Sequence, residues 1–329
     1  MELQQQFSEI TNLISSAKSR AYQAVNKELL TLYWHVGEYV SKQVALNTWG
    51  KSVVQELAAY IQKSEPNSKG FSAQNIWRMK QFYETYSENE KLSLLVRELT
   101  WTNNLIILTC ESALEKEFYI RMSIKEKWSK SELQRQINSS YYERVMLADV
   151  KLSTLPKELP QNVTNTFKDT YVFELLHLPD DHQEKDLRKA IGHNITKFLL
   201  EFGRDFAFMG EEYPLQVGNQ DFAVDLMFYN RSLNCMVAIE LKNERFKPEH
   251  LGQLNFYLEA LDRDIKKEHE NPSIGILLCK GKDDTVVEYA LNRSLSPTLV
   301  ADYKTKLPNK ALLQQKWEEI LNTLETENK

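Results

Sequence analysis

The sequence predicts an α/β protein in two parts: an all-helical N-terminal half, then a domain in which helices flank a central mixed sheet. Three observations carry this reading. In the first half, apolar residues recur every three or four positions. In the second half, helical spacing gives way after about residue 202 to short β-rich runs. Between the two, Thr154 to Thr166 holds Pro156 and Pro160 and little periodicity, so the boundary is expected there, dividing the chain into 1–153 and 154–329.

The elements follow in order. Leu29, Leu30, Tyr33, Val36 and Val40 form one face of a helix from Glu28 to Val44, and Val54, Leu57, Ala58 and Ile61 a second stripe between Val53 and Lys63. Glu65 to Gly70 is a turn cluster. Ser72 then caps a third helix carrying Ile76, Met79 and Phe82. Further helices are expected over Asn104–Ile120 and Ser131–Ser140, the latter introduced by Ser129 with Glu132 in capping-box spacing. Glu184 to Phe202 reads as one helix through Leu187, Ile191, Ile195, Phe198, Leu199 and Phe202. Strands are expected over Phe206–Met209 extending toward Val217, Phe222–Tyr229 and Cys235–Leu241. A helix over Pro248–Leu261 and a buried strand over Ile274–Cys279 follow. A helix over Val286–Leu291, a strand over Leu299–Tyr303 and an amphipathic helix over Lys310–Leu324 close the series.

Composition narrows the function. A net charge of -5 excludes a uniformly basic nucleic-acid coat, though one local basic surface would suffice for phosphate contacts. The three cysteines are far apart, with no CxxC pair, which argues against a disulfide framework or zinc knuckle. No signal-peptide pattern opens the chain and no apolar run could span a bilayer, so a cytoplasmic protein without a membrane partner is expected. The histidines lack HxxxH spacing, Leu278 to Asp284 lacks the first glycine of a phosphate loop, and no serine or cysteine nucleophile motif is present.

Chemistry concentrates in residues 220–246. Two β-rich runs flank Asn230 to Asn234, a polar break short enough for a hairpin. With the turn centred between Ser232 and Leu233, Asp225 and Glu240 stand opposite one another, their Cβ atoms about 5 Å apart. Lys242, two residues on, shares that face. Facing carboxylates within apolar strands need compensation, which a divalent cation and an ammonium would supply. Two hard oxygen ligands with open coordination suit magnesium, or manganese in its place; the metal would activate a water and neutralise charge on a phosphate, with Lys242 orienting or stabilising. The plainer alternative makes Asp225 a solvated strand end and Glu240 with Lys242 a surface ion pair. Their setting, after Ala238-Ile239 and among Val224, Leu226 and Phe228, favours the end of a central strand.

Aspartate followed by E-L-K on a hairpin, with a long helix before and another after, resembles the PD-(D/E)XK, or restriction-endonuclease-like, nuclease superfamily. FLLEFGRDFAFMGEEYPLQVGNQDFAVDLMFY, IELKNERFKPEHLGQLNFYLEALD, NPSIGILLCKGKDDTVVEYAL and GFSAQNIWRMKQFY are similar to the bacterial YhcG-like family, over nearly the whole chain. The resemblance implies a metal-dependent nuclease acting on DNA, with RNA still open. Asp225 and Glu240 are then metal ligands, Lys242 is the catalytic lysine, and Gln253 is the glutamine of the following helix, with Tyr257 one turn later. Gln253 also reads simply as a polar residue at a helix–sheet boundary. An additional acid from the helix before the first strand is open between Glu184 and Glu201. Val224 stands where the superfamily motif carries proline. Asn103 and Asn104 stand where relatives are expected to carry a serine–histidine type of pair, so no role for that histidine transfers.

Gly70 to Tyr83 reads as a recognition helix after a turn, with Asn75, Arg78 and Lys80 reaching phosphates or bases, or else as an ordinary helical hairpin with a solvated face. Two rival functions remain: a non-catalytic nucleic-acid-binding or scaffolding protein retaining the fold, and a carboxylate-pair glycosidase. The adjacent lysine and the lack of an aromatic-lined sequence around the pair speak against the second. Oligomeric state stays open, a homodimer included.

Overall fold

The computed structural model describes residues 2–148, 166–292, 294 and 296–316. The proline-bearing stretch 154–165 and the end of the last expected helix, 317–324, lie outside them; residues 310–316 are helical. The chain divides into two compact units, Met1–Gln134 and Arg135–Lys329.

In the first unit, α1 (Glu2–Ala45) is followed by α2 (Lys51–Ser64), α3 (Ala73–Tyr86), α4 (Glu90–Leu95), α5 (Trp101–Ile107) and α6 (Ala113–Lys125). The expected Asn104–Ile120 helix is two helices, because Ser112 starts a new one by accepting the Glu115 N–H. The Ser72 cap on α3 is present, its hydroxyl accepting the Asn75 N–H. Leu30, Tyr33 and Met79 form one buried cluster and Val40, Val54 and Ile76 another. Gly37 permits the approach of α1 to α3, since any Cβ there would collide with the Met79 carbonyl. α1 begins far before the expected Glu28. From Gln4 to Val25 every described side chain is exposed, and only at Asn26, whose amide donates to the Leu99 carbonyl at 2.8 Å, does the helix join the unit.

α7 (Lys130–Asn138) and α8 (Tyr141–Met146) come next. In the second unit, β1 (Thr170–Val172) precedes α9 (Glu184–His193) and α10 (Ile195–Phe202); β2 (Phe206–Val217), β3 (Gln220–Asn230) and β4 (Cys235–Arg245) lead to α11 (His250–Ala260). β5 (Ile274–Gly281), α12 (Asp284–Leu291) and β6 (Thr298–Lys304) complete the series. Among the described residues these strands form one sheet, ordered β1-β6-β5-β4-β3-β2. β1, β6, β5 and β4 run parallel, while β3 and β2 are antiparallel additions at one side. The sheet is therefore mixed, as expected, and is covered on both faces. Leu187, Ile191, Phe198 and Phe202 of α9 and α10 pack on one side, and Leu254, Leu258, Val287 and Leu291 of α11 and α12 on the other. The expected Glu184–Phe202 helix breaks at Asn194 (φ -123°, ψ 30°), whose amide turns back onto the Ala190 carbonyl. No helix among the described residues is long and apolar enough to cross a membrane.

Candidate active site

The β3–β4 turn sets the site. Asn230 is buried, and its Oδ1 accepts from the N–H groups of Ser232 and Leu233 and from the Ser232 hydroxyl. Asn234 supplies the left-handed residue, φ 50°. The ladder runs from Asn230↔Cys235 to Leu226↔Ile239, the register that brings Asp225 opposite Glu240. There the pairing stops: β3 continues along β2 and β4 along β5, so the strands fork at the two acids. The carboxylates take up backbone groups that no longer meet. Asp225 N–H donates to Glu240 Oε1 (3.3 Å), and Leu241 N–H donates to Asp225 Oδ2 (3.0 Å). On the other side of β3, Glu212 of β2 has φ 45° and is left out of the ladder.

α9 adds the rest. Its buried Leu187 and Ile191 fix its orientation, and Glu184 and Arg188, one turn apart, reach the fork. Arg188 Nη1 lies 2.8 Å from Asp225 Oδ1 and Nη2 lies 2.9 Å from Glu212 Oε1. Lys242 Nζ sits 3.6 Å from Glu184 Oε2 and 3.9 Å from Glu240 Oε2, and the Asn243 N–H donates to Glu184 Oε1 at 3.4 Å.

Glu240 is only 2% exposed. Burial, then the Asp225 charge, push its pKa well above the usual carboxylate range, against the opposite pulls of the Asp225 N–H and the Lys242 ammonium. The pocket is thus short of positive charge: Asp225 borrows a guanidinium, and Glu240 favours a proton. Two hard oxygen donors in that state fit a divalent cation that keeps several waters. No group of three or more His, Cys, Asp or Glu side chains among the described residues is placed to form a fuller cage.

Comparison with known proteins finds nuclease relatives. Residues 164–318 match the model of the YhcG PDDEXK nuclease domain, and residues 9–144 that of the DUF1016 N-terminal domain. A curated relative from Escherichia coli (strain K12), named "Putative nuclease YhcG", is 28% identical over 341 residues, 92% of this chain and 90% of its own. By these matches the chain resembles the YhcG-like PD-(D/E)XK family over most of its length. Two solved structures overlap it in part. A repair endonuclease from Pyrococcus abyssi gives a TM-score of 0.26 at 18% identity, over 39% of this chain and 50% of that one. EndoMS in its apo form gives 0.25 at 17%, over 40% and 48%. These overlaps span about half of each solved chain.

Of the residues expected to act in this YhcG-like chain, the structure brings together Asp225, Glu240, Lys242 and Glu184. Glu201 is elsewhere. Its fully buried carboxylate meets Arg135 Nη1 (3.0 Å), Arg144 Nη1 (3.2 Å), Lys168 Nζ (3.2 Å) and the Val172 N–H (3.1 Å), joining α7, α8 and β1 to α10. Of the two helix acids, Glu184 is the one that lies beside Lys242. Gln253 is exposed on α11 and donates to the Tyr257 hydroxyl at 2.7 Å; its amide forms no hydrogen bond to the three central side chains.

In the first unit, Asn75 is committed internally. Its Nδ2 donates to the Gly70 carbonyl and its Oδ1 accepts from Trp101 Nε1 at 2.9 Å, so the expectation that it reaches bases gives way to a structural role. Lys80 is paired with Glu84 at 2.6 Å, while Arg78 is exposed. Asn103 and Asn104 donate to the carbonyls of Trp128 and Val96 from buried positions. Sequence reasoning missed Arg188 and Glu212. The available signal was Arg188 one turn after Glu184, beside the buried stripe.

Proposed function

We propose that this protein is a divalent-metal-dependent nuclease that hydrolyses phosphodiester bonds in DNA. The observation that carries the reading is the convergence of Asp225, Glu240 and Lys242 where β3 and β4 part. Where the strands part, the two carboxylates accept backbone N–H groups that a continuous ladder would have paired.

Asp225 and Glu240 would hold the metal, with magnesium or manganese as the ion. When bound, the metal supplies an activated water and positive charge at the phosphate. Lys242 holds its ammonium toward Glu240 and Glu184, where it can orient the attacking water and stabilise charge on the phosphate oxygens. Glu184 keeps Lys242 in place and is the third carboxylate near the fork. Arg188 compensates Asp225 without metal and is positioned to turn to a phosphate once that charge is neutralised.

The test is cleavage of end-labelled and supercoiled DNA, with labelled RNA in parallel, in magnesium, manganese or chelator. Asp225→Asn, Glu240→Gln and Lys242→Met should each abolish cleavage at unchanged secondary structure. Near wild-type turnover in any one variant removes that residue from the mechanism. One observation favours a non-catalytic reading: the Arg188–Asp225 ion pair already fills one ligand oxygen. If DNA binds in a metal-independent way and remains intact in both metals, the scaffolding reading replaces the nuclease.

A further inference from the structure

The edge strand β2 carries a backbone conformation that its ladder does not need. Pairing holds on both sides of Glu212, between Glu211 and Leu226 and between Tyr213 and Val224, so Glu212 stands level with Asp225 yet outside the ladder. Its φ of 45° is left-handed, a region that a glutamate adopts only at a cost. In a regular strand, consecutive side chains point to opposite faces. Here both turn to α9. The Glu211 carboxylate lies so close against Gly192 that any Cβ there would collide with it, and Glu212 Oε1 meets Arg188 Nη2, one helical turn earlier, at 2.9 Å. The left-handed residue breaks the alternation.

The ion pair it gains does not offset that strain. The Glu212 side chain is 65% exposed, and pairs so open to solvent contribute little stability. What the arrangement does is divide one guanidinium between two carboxylates, Nη1 on Asp225 at 2.8 Å and Nη2 on Glu212. Asp225 is a candidate metal ligand and Glu212 is not, so a cation at the fork would compete for only one of the two arms.

We propose that Glu212 is a positioning residue: it keeps Arg188 at the fork once a cation has taken Asp225, so that the freed Nη1 binds a phosphate of the DNA strand. Arg188 then changes partner without leaving the site. Its planar fork stays anchored through Nη2 while the other arm turns from carboxylate to phosphate. Without Glu212 the guanidinium has no second anchor, and once released by Asp225 it moves into solvent. This inference deepens the nuclease reading and rests on it.

The sign of the effect separates this role from charge alone. Removing an acid near a polyanion should tighten binding by simple electrostatics, whereas losing the anchor of Arg188 should weaken it. The test measures fluorescence anisotropy of labelled DNA with the full chain, in chelator and in saturating calcium, which binds hard oxygen donors. The wild type should bind more tightly in calcium. Glu212→Gly should lose about tenfold in calcium and lower the salt slope by about one, with no loss in chelator. Arg188→Met should lose as much in calcium, and the double variant no more than either. Because glycine accepts left-handed backbone, the melt of Glu212→Gly in chelator should stay level or rise. Unchanged or tighter binding by Glu212→Gly in calcium, or additive losses in the double variant, would overturn the proposal and leave the nuclease reading standing. A lowered melt would assign Glu212 to the fold instead. Wild-type binding indifferent to calcium would overturn the proposal together with the metal site on which it rests.

Discussion

Glu201→Gln separates a structural acid from a catalytic one. Burial alone would raise the Glu201 pKa, but Lys168, Arg144, Arg135 and the Val172 N–H together bring it down to about 2. Against the ordinary value of 4.5, that is a shift of about 2.5 units, or about 3 kcal/mol at 1.36 kcal/mol per unit. The sign follows from the direction. A carboxyl whose folded pKa is depressed adds stability that is complete above about pH 4.5 and is lost as pH falls toward 2. Removing the charge also leaves buried cations facing a neutral amide; Lys168, which burial already pulls down to about 8, loses the partner that opposes that pull. For a unit of this size, about 3 kcal/mol corresponds to a drop of about 6–12 °C in Tm. Differential scanning calorimetry from pH 2 to 7 should show that drop at pH 7 and a flattened acid limb in the variant. Cleavage well below the melt should be retained. Lost cleavage with an unchanged Tm would return Glu201 to the active site and refute the reasoning.

Arg188→Met should tighten magnesium binding up to about tenfold in calorimetric titrations, because the guanidinium no longer competes for Asp225; weaker binding would mean that Arg188 helps to build the metal site. In chelator, wild-type stability should fall as pH rises through neutrality, since the raised Glu240 pKa makes ionisation costly in the folded state; Glu240→Gln should lack this fall and be the more stable protein there. Magnesium and calcium should both raise the wild-type melt, and neither should act on the Asp225→Asn, Glu240→Gln double variant; an equal response would place the cation elsewhere. In the first unit, Arg78→Ala should weaken DNA binding and reduce the salt slope by about one, while Asn75→Ala should lower the melt instead. Fluorescence anisotropy at several salt concentrations checks the first effect and a thermal scan the second.

What could be read from the residue string depended on the range of the contacts. The hairpin register was legible because Asn230 to Asn234 is local turn chemistry and the acids lie within one strand length of it. Arg188, by contrast, meets Asp225 across 37 positions, and nothing in the spacing of either residue announces the other. Glu201 looked available because its position on α10 is equally compatible with facing the sheet fork or the opposite cluster; three cations from distant segments decide it. The first turns of α1 were missed for a different reason. Helices were read from stripes that would be buried, and the stripe that opens with Phe7, Ile10 and Ile14 gives way to alanines among serines before it reaches Glu28. β1, three residues long, is held by pairing with β6 rather than by any pattern of its own.

The Asn230 carboxamide has a consequence well away from itself. It binds the turn at three points and so acts as the origin from which positions along β3 and β4 are counted. Asp225 and Glu240 lie five residues from the two ends of that turn, about 17 Å along each strand. An insertion of one residue among Arg231 to Asn234 would leave every active-site residue in the sequence yet advance β4 by one step. Ile239 or Leu241 would then face Asp225, with Glu240 turned to the other side of the sheet. The tip of the hairpin, although Arg231 and Ser232 are exposed there, is therefore a part of this domain that cannot change length without dismantling the site.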